Sequence, residues 1–170
     1  MQINISSLTK SERMEIVSEG KSSPNGILKD INESTIDVKY FRGKLLIIDF
    51  WATWCAPCIK EAPIFKEIAE SYKNSNAEFI SISVDQDYLD WQNYILEKSW
   101  KGKNYWFGMQ VDQPFFSLLY SKHKMGDANE MVLMGLPKYV IISPNGEILS
   151  NSDLRPSNPE FELAIKRHLK

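Results

Sequence analysis

Cysteine is scarce in this sequence: there are two in 170 residues, Cys55 and Cys58. A disulfide-stapled framework needs several pairs and is excluded, so the spacing of the two thiols matters more than their number. Histidine is equally rare, and His123 and His168 stand far apart, which leaves a four-ligand zinc site without its ligands. Neither charge sign dominates. Twenty Lys and Arg against 22 Asp and Glu give a formal net charge of −2, without the basic excess of a nucleic-acid binder. The longest apolar run is four residues, as at 45–48, far below the ~20 of a membrane-spanning helix. Lys10, Glu12, Arg13 and Glu15 interrupt the place where an export signal would be apolar, so no signal peptide or anchor is expected from these residues. What remains is globular composition, 43% hydrophobic and 25% charged, at a length that suits one domain.

Residues 1–23 are polar and rich in serine, and they are expected to form a loosely attached arm with a short helical piece at 12–17. The folded domain is expected to span residues 24–170. Pro24-Asn25-Gly26 is a turn signal, and the short stretches 27–28 and 35–38 suggest a hairpin. Residues 45–51 are apolar on both faces apart from Asp49, the pattern of a central strand covered on both sides. Apolar residues then recur at spacings of three and four, predicting an amphipathic helix over 55–73 that Pro63 should bend. A strand at 78–84 and a helix at 88–99, capped by Asp87, follow. Further on, a strand at 105–111, a helix at 114–122 and a loop at 125–130 are expected. A hairpin at 139–143 and 147–150 turns on Pro144-Asn145-Gly146, and Asn158-Pro159-Glu160 opens a final helix. The order is a βαβ unit followed by a β-hairpin and a helix.

Chemistry concentrates where the central strand meets the first long helix. Thiols at i and i+3 in a helical turn have Cα atoms ~5 Å apart, within disulfide reach, so the pair can close and reopen without unfolding. Cys55, at the cap, faces free N–H groups and the positive end of the helix dipole, which favours its thiolate and makes it the nucleophile. Cys58, one turn inside, should be more buried. Pro57 falls where a missing N–H costs nothing and stiffens the turn. Half a zinc site and a pair of inert buried thiols are the competing readings, and neither suits a helix N-terminus beside Trp51 and Trp54. Trp51 reads as core. Trp54, next to the nucleophile, reads as exposed contact surface.

The segment Asp49-Phe50-Trp51-Ala52-Thr53-Trp54-Cys55-Ala56-Pro57-Cys58, with Lys60-Glu61-Ala62-Pro63 after it, resembles the active-site segment of thioredoxin-fold proteins and most closely that of the TlpA/ResA group of thiol–disulfide oxidoreductases. Gly135-Leu136-Pro137, some eighty residues on, resembles the family's cis-proline loop. The resemblance implies an α/β fold: a thioredoxin-like three-layer sandwich with a central mixed sheet, an N-terminal hairpin and a strand-helix insertion in the long stretch between Val84 and Gly135. It implies a role for Asp49 in deprotonating Cys58, against the alternative of a hydrogen-bonded structural acid. It implies a place near the active site for Glu61, against a solvated helix position. Substrate polypeptide would lie across Trp54, Ala56, Pro57, Leu136 and Pro137.

The expected activity is dithiol exchange with protein disulfides, with the Cys55–Cys58 pair itself as the redox group, no dissociable cofactor or metal, and electrons from an upstream thiol protein. A monomer is expected, and the resemblance implies a bacterial periplasmic or extracytoplasmic setting. An oxidant or isomerase would differ only in redox potential. A peroxidase of the peroxiredoxin type lacks its signature here, since Thr53 stands two residues before Cys55 and not three. A redox-inactive binding domain is the remaining alternative. The aromatics from Trp100 to Tyr120 read as core of the insertion, and the two histidines have no evident role.

Overall fold

A computed structural model describes residues 5–127 and 129–169. The elements in chain order are α1 (Lys10–Ile16), β1 (Ile27–Lys29), β2 (Thr35–Asp37), β3 (Leu45–Trp51), α2 (Ala56–Ser71), β4 (Ala77–Ser83), α3 (Tyr88–Glu97), β5 (Asn104–Trp106), β6 (Tyr120–Met125), β7 (Asn129–Met134), β8 (Lys138–Ile142), β9 (Ile148–Ser152) and α4 (Pro159–His168), with a 3₁₀ helix at Pro114–Leu119. Seven strands make one mixed sheet in the order β2-β1-β5-β4-β3-β8-β9, while β6 and β7 pair only with each other. β3 is parallel to β4, β4 is parallel to β5, and β8 runs antiparallel to both β3 and β9. Among the described residues no helix is long and apolar enough to cross a membrane.

β3 is buried at all seven positions because helices cover both faces of the sheet. One face, carrying Leu45 and Ile47, packs with Phe65 of α2 and with Phe161 and Ile165 of α4. The other, carrying Leu46, Ile48 and Phe50, packs with Trp91 and Ile95 of α3 and with the 3₁₀ segment. This is the three-layer thioredoxin-like architecture, with the β1–β2 hairpin at one edge. The insertion appears as α3 followed by β5, which extends the sheet beyond β4. Local chemistry fixes the helix starts: Asp87 accepts from the Leu89 N–H at 2.7 Å, and Asn158 accepts from the Glu160 N–H at 3.0 Å ahead of Pro159. α2 runs through Pro63 as one element.

Three expectations differ from the structure. The strand expected at 105–111 shortens to Asn104–Trp106: Phe107 N–H makes the last ladder bond to the Ser83 carbonyl, and Gly108, at φ +75°, turns its own N–H back to that same carbonyl and ends the pairing. The helix expected at 114–122 is a 3₁₀ segment that gives way to β6, and the expected loop at 125–130 is only the tight turn of the β6–β7 hairpin. Phe115 to Leu119 are all buried, so that segment is wrapped on every side and never presents the single apolar stripe of an α-helix.

The N-terminal segment, expected to be loose, is fastened to the body. Thr9 and Glu12 cap α1 reciprocally, Val17 is fully buried, and Arg13 donates to the carbonyl of Val111. Residues 20–23 then run beside the final hairpin, with Gly20 N–H donating to Ile148 O, Ile148 N–H to Lys21 O and Ser23 N–H to Gly146 O, each at 2.8 Å. Val17→Ala should therefore lower the unfolding free energy by about 2 kcal/mol in urea titration. A loss within experimental error would mean that the segment is not part of the cooperative unit.

Candidate active site

β3 ends at Trp51, and three residues carry the chain into α2, whose cap is Cys55. The cap backbone is extended, at φ −90° and ψ 93°, which turns the sulfur back over the first helical turn. Cys55 Sγ accepts from the Cys58 N–H at 3.3 Å, and the Cys55 N–H donates to Ala52 O at 3.0 Å. The two cysteines are joined in a disulfide with Cα atoms 5.3 Å apart, the separation their spacing predicts. Cys58 is 1% exposed and Cys55 5%, so of the pair it is Cys55 that presents its edge to solvent. When the bond is open, the unpaired N–H groups at the start of α2 favour negative charge on the Cys55 sulfur. Among the described residues no cluster of His, Cys, Asp and Glu could hold a metal ion.

Around this edge the expected contact residues are arranged unevenly. Trp54 is 64% exposed, and Ala56 and Pro57 are exposed beside it. Trp51, by contrast, is buried and stacked on Trp100 with ring centres 5.0 Å apart. In the β3–β8 register Phe50 faces Lys138, so Pro137 falls opposite Trp51, level with the loop that leads to Cys55. The Leu136–Pro137 peptide bond is cis. Leu136 is half-buried and Pro137 is buried beneath it.

The two candidate acids lie in different settings. Asp49 points from β3 toward α2 and is 3% exposed; its Oδ2 accepts from Ser81 Oγ at 3.2 Å, while its Oδ1 has no partner. Burial pushes its carboxyl up to about 7, against the smaller opposing effects of the Ser81 hydrogen bond and the Lys66 charge. Glu61, one turn beyond Cys58 on α2, is 4% exposed, which removes the solvated alternative. Both its oxygens are occupied: Oε2 accepts from the Ser157 N–H at 2.9 Å and Oε1 from Ser157 Oγ at 2.8 Å. Ser157 thus ties the loop before α4 to the helix that carries the cysteines.

Two residues not foreseen from sequence also border the site. Lys138, directly after Pro137, is 1% exposed and donates to Ser121 Oγ and, at 3.2 Å, to Asp153 Oδ1, fastening β8 to β6 and to the chain after β9. Asp85, just past the end of β4, is 3% exposed and receives the N–H and the hydroxyl of Thr53. The only sequence signal for either was a charge at a strand end, where charge ordinarily means solvent.

With this geometry in hand, comparison with known proteins is decisive. A family model described as Thioredoxin-like matches residues 43–148, from the start of β3 to the start of β9. The chain belongs to this thioredoxin-like family. Its curated relatives include the thiol–disulfide oxidoreductase ResA of Bacillus thuringiensis subsp. konkukian, 38% identical over 87 residues that cover 51% of this chain and 49% of that protein. ResA of Bacillus subtilis is 27% identical over 135 residues, covering 79% and 67%. The chain thus spans about half the length of the first of these relatives. Among solved structures, a Bacteroides vulgatus protein assigned provisionally as a thiol–disulfide oxidoreductase superposes with a TM-score of 0.76 at 23% identity over 91% of this chain and 99% of its own. The thioredoxin domain of another Bacteroides vulgatus thiol–disulfide oxidoreductase gives 0.71 at 19% identity over 90% and 99%. The likeness to the TlpA/ResA group read from the sequence is thereby borne out, and so is the fold.

The setting of Asp49 makes stability depend on pH. The folded protein keeps a proton that the unfolded chain releases near its ordinary value of 3.8, so the contribution of Asp49 to stability falls as pH rises from about 4 to about 7 and is level above that. Asp49→Asn has no proton to lose there. Its advantage over wild type should grow across that window, to on the order of 4 kcal/mol, in denaturant titrations of the oxidised protein at pH 4 and pH 8. A difference between the two proteins that is constant with pH would show that Asp49 ionises freely in the fold.

Proposed function

We propose that the chain is a thiol–disulfide oxidoreductase that reduces protein disulfides through Cys55 and Cys58. The observation that carries this reading is the closed disulfide at the N-terminus of α2 beside exposed Trp54, with Cys55 the more accessible of two buried cysteines. The names of the ResA relatives supply the same chemistry.

In the reduced protein the Cys55 thiolate attacks one sulfur of a substrate disulfide, forming a mixed disulfide and releasing the other substrate sulfur as a thiolate. Cys58, once deprotonated, attacks Cys55 Sγ and frees the second substrate sulfur. Two electrons pass to the substrate, and the Cys55–Cys58 bond remains until an upstream thiol protein reduces it. Asp49, whose carboxyl titrates near neutrality and has a free oxygen, is assigned as acceptor of the Cys58 proton, with Glu61 holding the helix turn beside it. Polypeptide substrate is assigned to the surface formed by Trp54, Ala56, Pro57 and Leu136, with Pro137 supporting it from below. The resemblance to TlpA/ResA proteins favours an extracytoplasmic compartment, where disulfide substrates are abundant.

The two cysteines have separate duties, and this gives the test. Cys58→Ala should accumulate a covalent adduct with a disulfide-containing peptide, visible by mass spectrometry and cleared by added thiol, whereas Cys55→Ala should form none. Adducts confined to Cys55→Ala would reverse the roles, and the absence of adducts from both, with a wild-type disulfide that does not cycle, would remove the activity. The reduction potential separates the directions of electron flow: a value near that of thioredoxin, about −270 mV, marks a reductant, and one near −120 mV an oxidant.

A further inference from the structure

We infer that Asp85 is a positioning residue for the nucleophile, holding the Thr53-Trp54 loop so that Cys55 sits at the cap of α2; the inference rests on the oxidoreductase reading above. The parallel register places Trp51 beside Ser83, and the next step of the ladder is the bond from Val84 N–H to Trp51 O at 2.9 Å. One step further the strands stop pairing, and Thr53 meets the side chain of Asp85 where the next backbone partner would stand. Its N–H lies 3.1 and 3.0 Å from the two carboxylate oxygens, and its hydroxyl donates to Oδ1 at 2.7 Å. Ser83 Oγ donates to Oδ2 at 2.6 Å and accepts from the Asp85 N–H at 2.9 Å. A carboxyl that is 3% exposed therefore turns both oxygens to the residue two before the nucleophile and is itself held in place by Ser83.

The insertion braces this arrangement from behind. Trp106, the last residue of β5, donates its indole N–H to the Asp85 carbonyl at 2.8 Å and packs edge-on against Tyr88 at 5.6 Å. Gly108, at φ +75°, lets the chain turn over that indole, where a Cβ would fall 2.5 Å from the ring. The line of contact runs from the insertion through Asp85 to Thr53, and from there along the chain to Cys55.

The direction of the effect separates positioning from simple charge. A negative charge near the site disfavours a thiolate, so if Asp85 acted only through its charge, removing it would make Cys55 more reactive. Positioning predicts the opposite, because a loosened loop lets the sulfur drift from the helix N–H groups that stabilise its anion.

The experiment measures the pH dependence of Cys55 alkylation by iodoacetamide in the reduced full-length protein, carried out in a Cys58→Ala background, with folding checked by circular dichroism and thermal melting. Asp85→Ala should slow alkylation at pH 7 about tenfold and move the midpoint up by about one pH unit. Asp85→Asn loses the charge but keeps an acceptor for Thr53 and should stay within about threefold of the parent. Thr53→Val should be slowed in the same direction, and combining it with Asp85→Ala should add less than the two separate effects. An unchanged or lowered midpoint in folded Asp85→Ala overturns the inference, as does Asp85→Asn behaving like Asp85→Ala. If Asp85→Ala does not fold, an unshifted Thr53→Val overturns it. A wild-type disulfide that fails to open and close in thiol buffers would instead remove the oxidoreductase reading, and this inference with it.

Discussion

The register of β3 against its two neighbours is the constraint on which the rest of the structure depends. Pairing Trp51 with Ser83 on one side and Phe50 with Lys138 on the other brings three distant pieces of chain to one end of the sheet: the loop before Cys55, the turn after β4 and the Leu136-Pro137 bend. A slip of one residue in either ladder would turn Asp49 to the opposite face and replace buried Ile47 and Ile48 with each other across two cores. Because all seven residues of β3 are buried, that slip has no solvent-facing refuge, and the register is held by the hydrophobic effect on both faces at once. The site is thus assembled by core packing, and its polar contacts adjust positions that the core has already set.

Around this frame the chain adds material mainly on the face away from α2. α1, the 3₁₀ segment and the β6–β7 hairpin share one cluster with α3 and the inner face of the sheet, through Val17, Phe115, Leu119 and Val132. The hairpin pairs with no other strand, so its attachment relies on one inward face, where Tyr120 and Val132 are buried, and on Ser121 in its bond with Lys138. A buried lysine is costly unless its ammonium finds acceptors, and Asp153 and Ser121 supply them. Lys138, together with the Ser121 hydroxyl that itself donates to Asp153 at 2.8 Å, links β8, β6 and the chain after β9 directly beside the cis-proline loop.

How much of this could be read beforehand follows from how each segment meets solvent. The strand at 45–51, the helix beginning at Cys55, the cap at Asp87 and the hairpin around Gly146 were legible because their patterns are local: two-sided apolarity, helical spacing, a capping acid, a turn glycine. The β6–β7 hairpin was not, since Lys122, His123 and Lys124 face water and leave no alternation to detect. The segment before it looked helical because apolar residues recur in it, yet burial on every side erases the difference between a stripe and a core plug. In the N-terminal segment, polar composition suggested looseness, but one buried valine, one arginine reaching a carbonyl and a few backbone bonds suffice to dock it. At the site the cysteines, the exposed tryptophan and both acids could be named from the sequence. Asp85 and Lys138 could not, because their importance lies in what the register brings opposite them, and a single sequence carries no record of that.

The contrast between the two buried acids is what favours Asp49 over Glu61 in the proposed exchange. A carboxyl whose two oxygens both accept from the same neighbour is fixed in place and has less accepting capacity to spare. Glu61 is in that position, gripped through both oxygens by Ser157. Asp49 has one weakly bonded oxygen, one with no partner, and only Lys66 and Glu61 as charged neighbours acting on it in opposite directions, so burial dominates and its protonated and ionised forms lie close in free energy near neutral pH. Balance of that kind is what proton transfer to and from a thiol requires, since the ordinary thiol titrates not far above it. In the proposed exchange Asp49 is therefore the acid assigned to the Cys58 proton, because burial holds its two protonation states close together, whereas Glu61 is committed through both oxygens to Ser157.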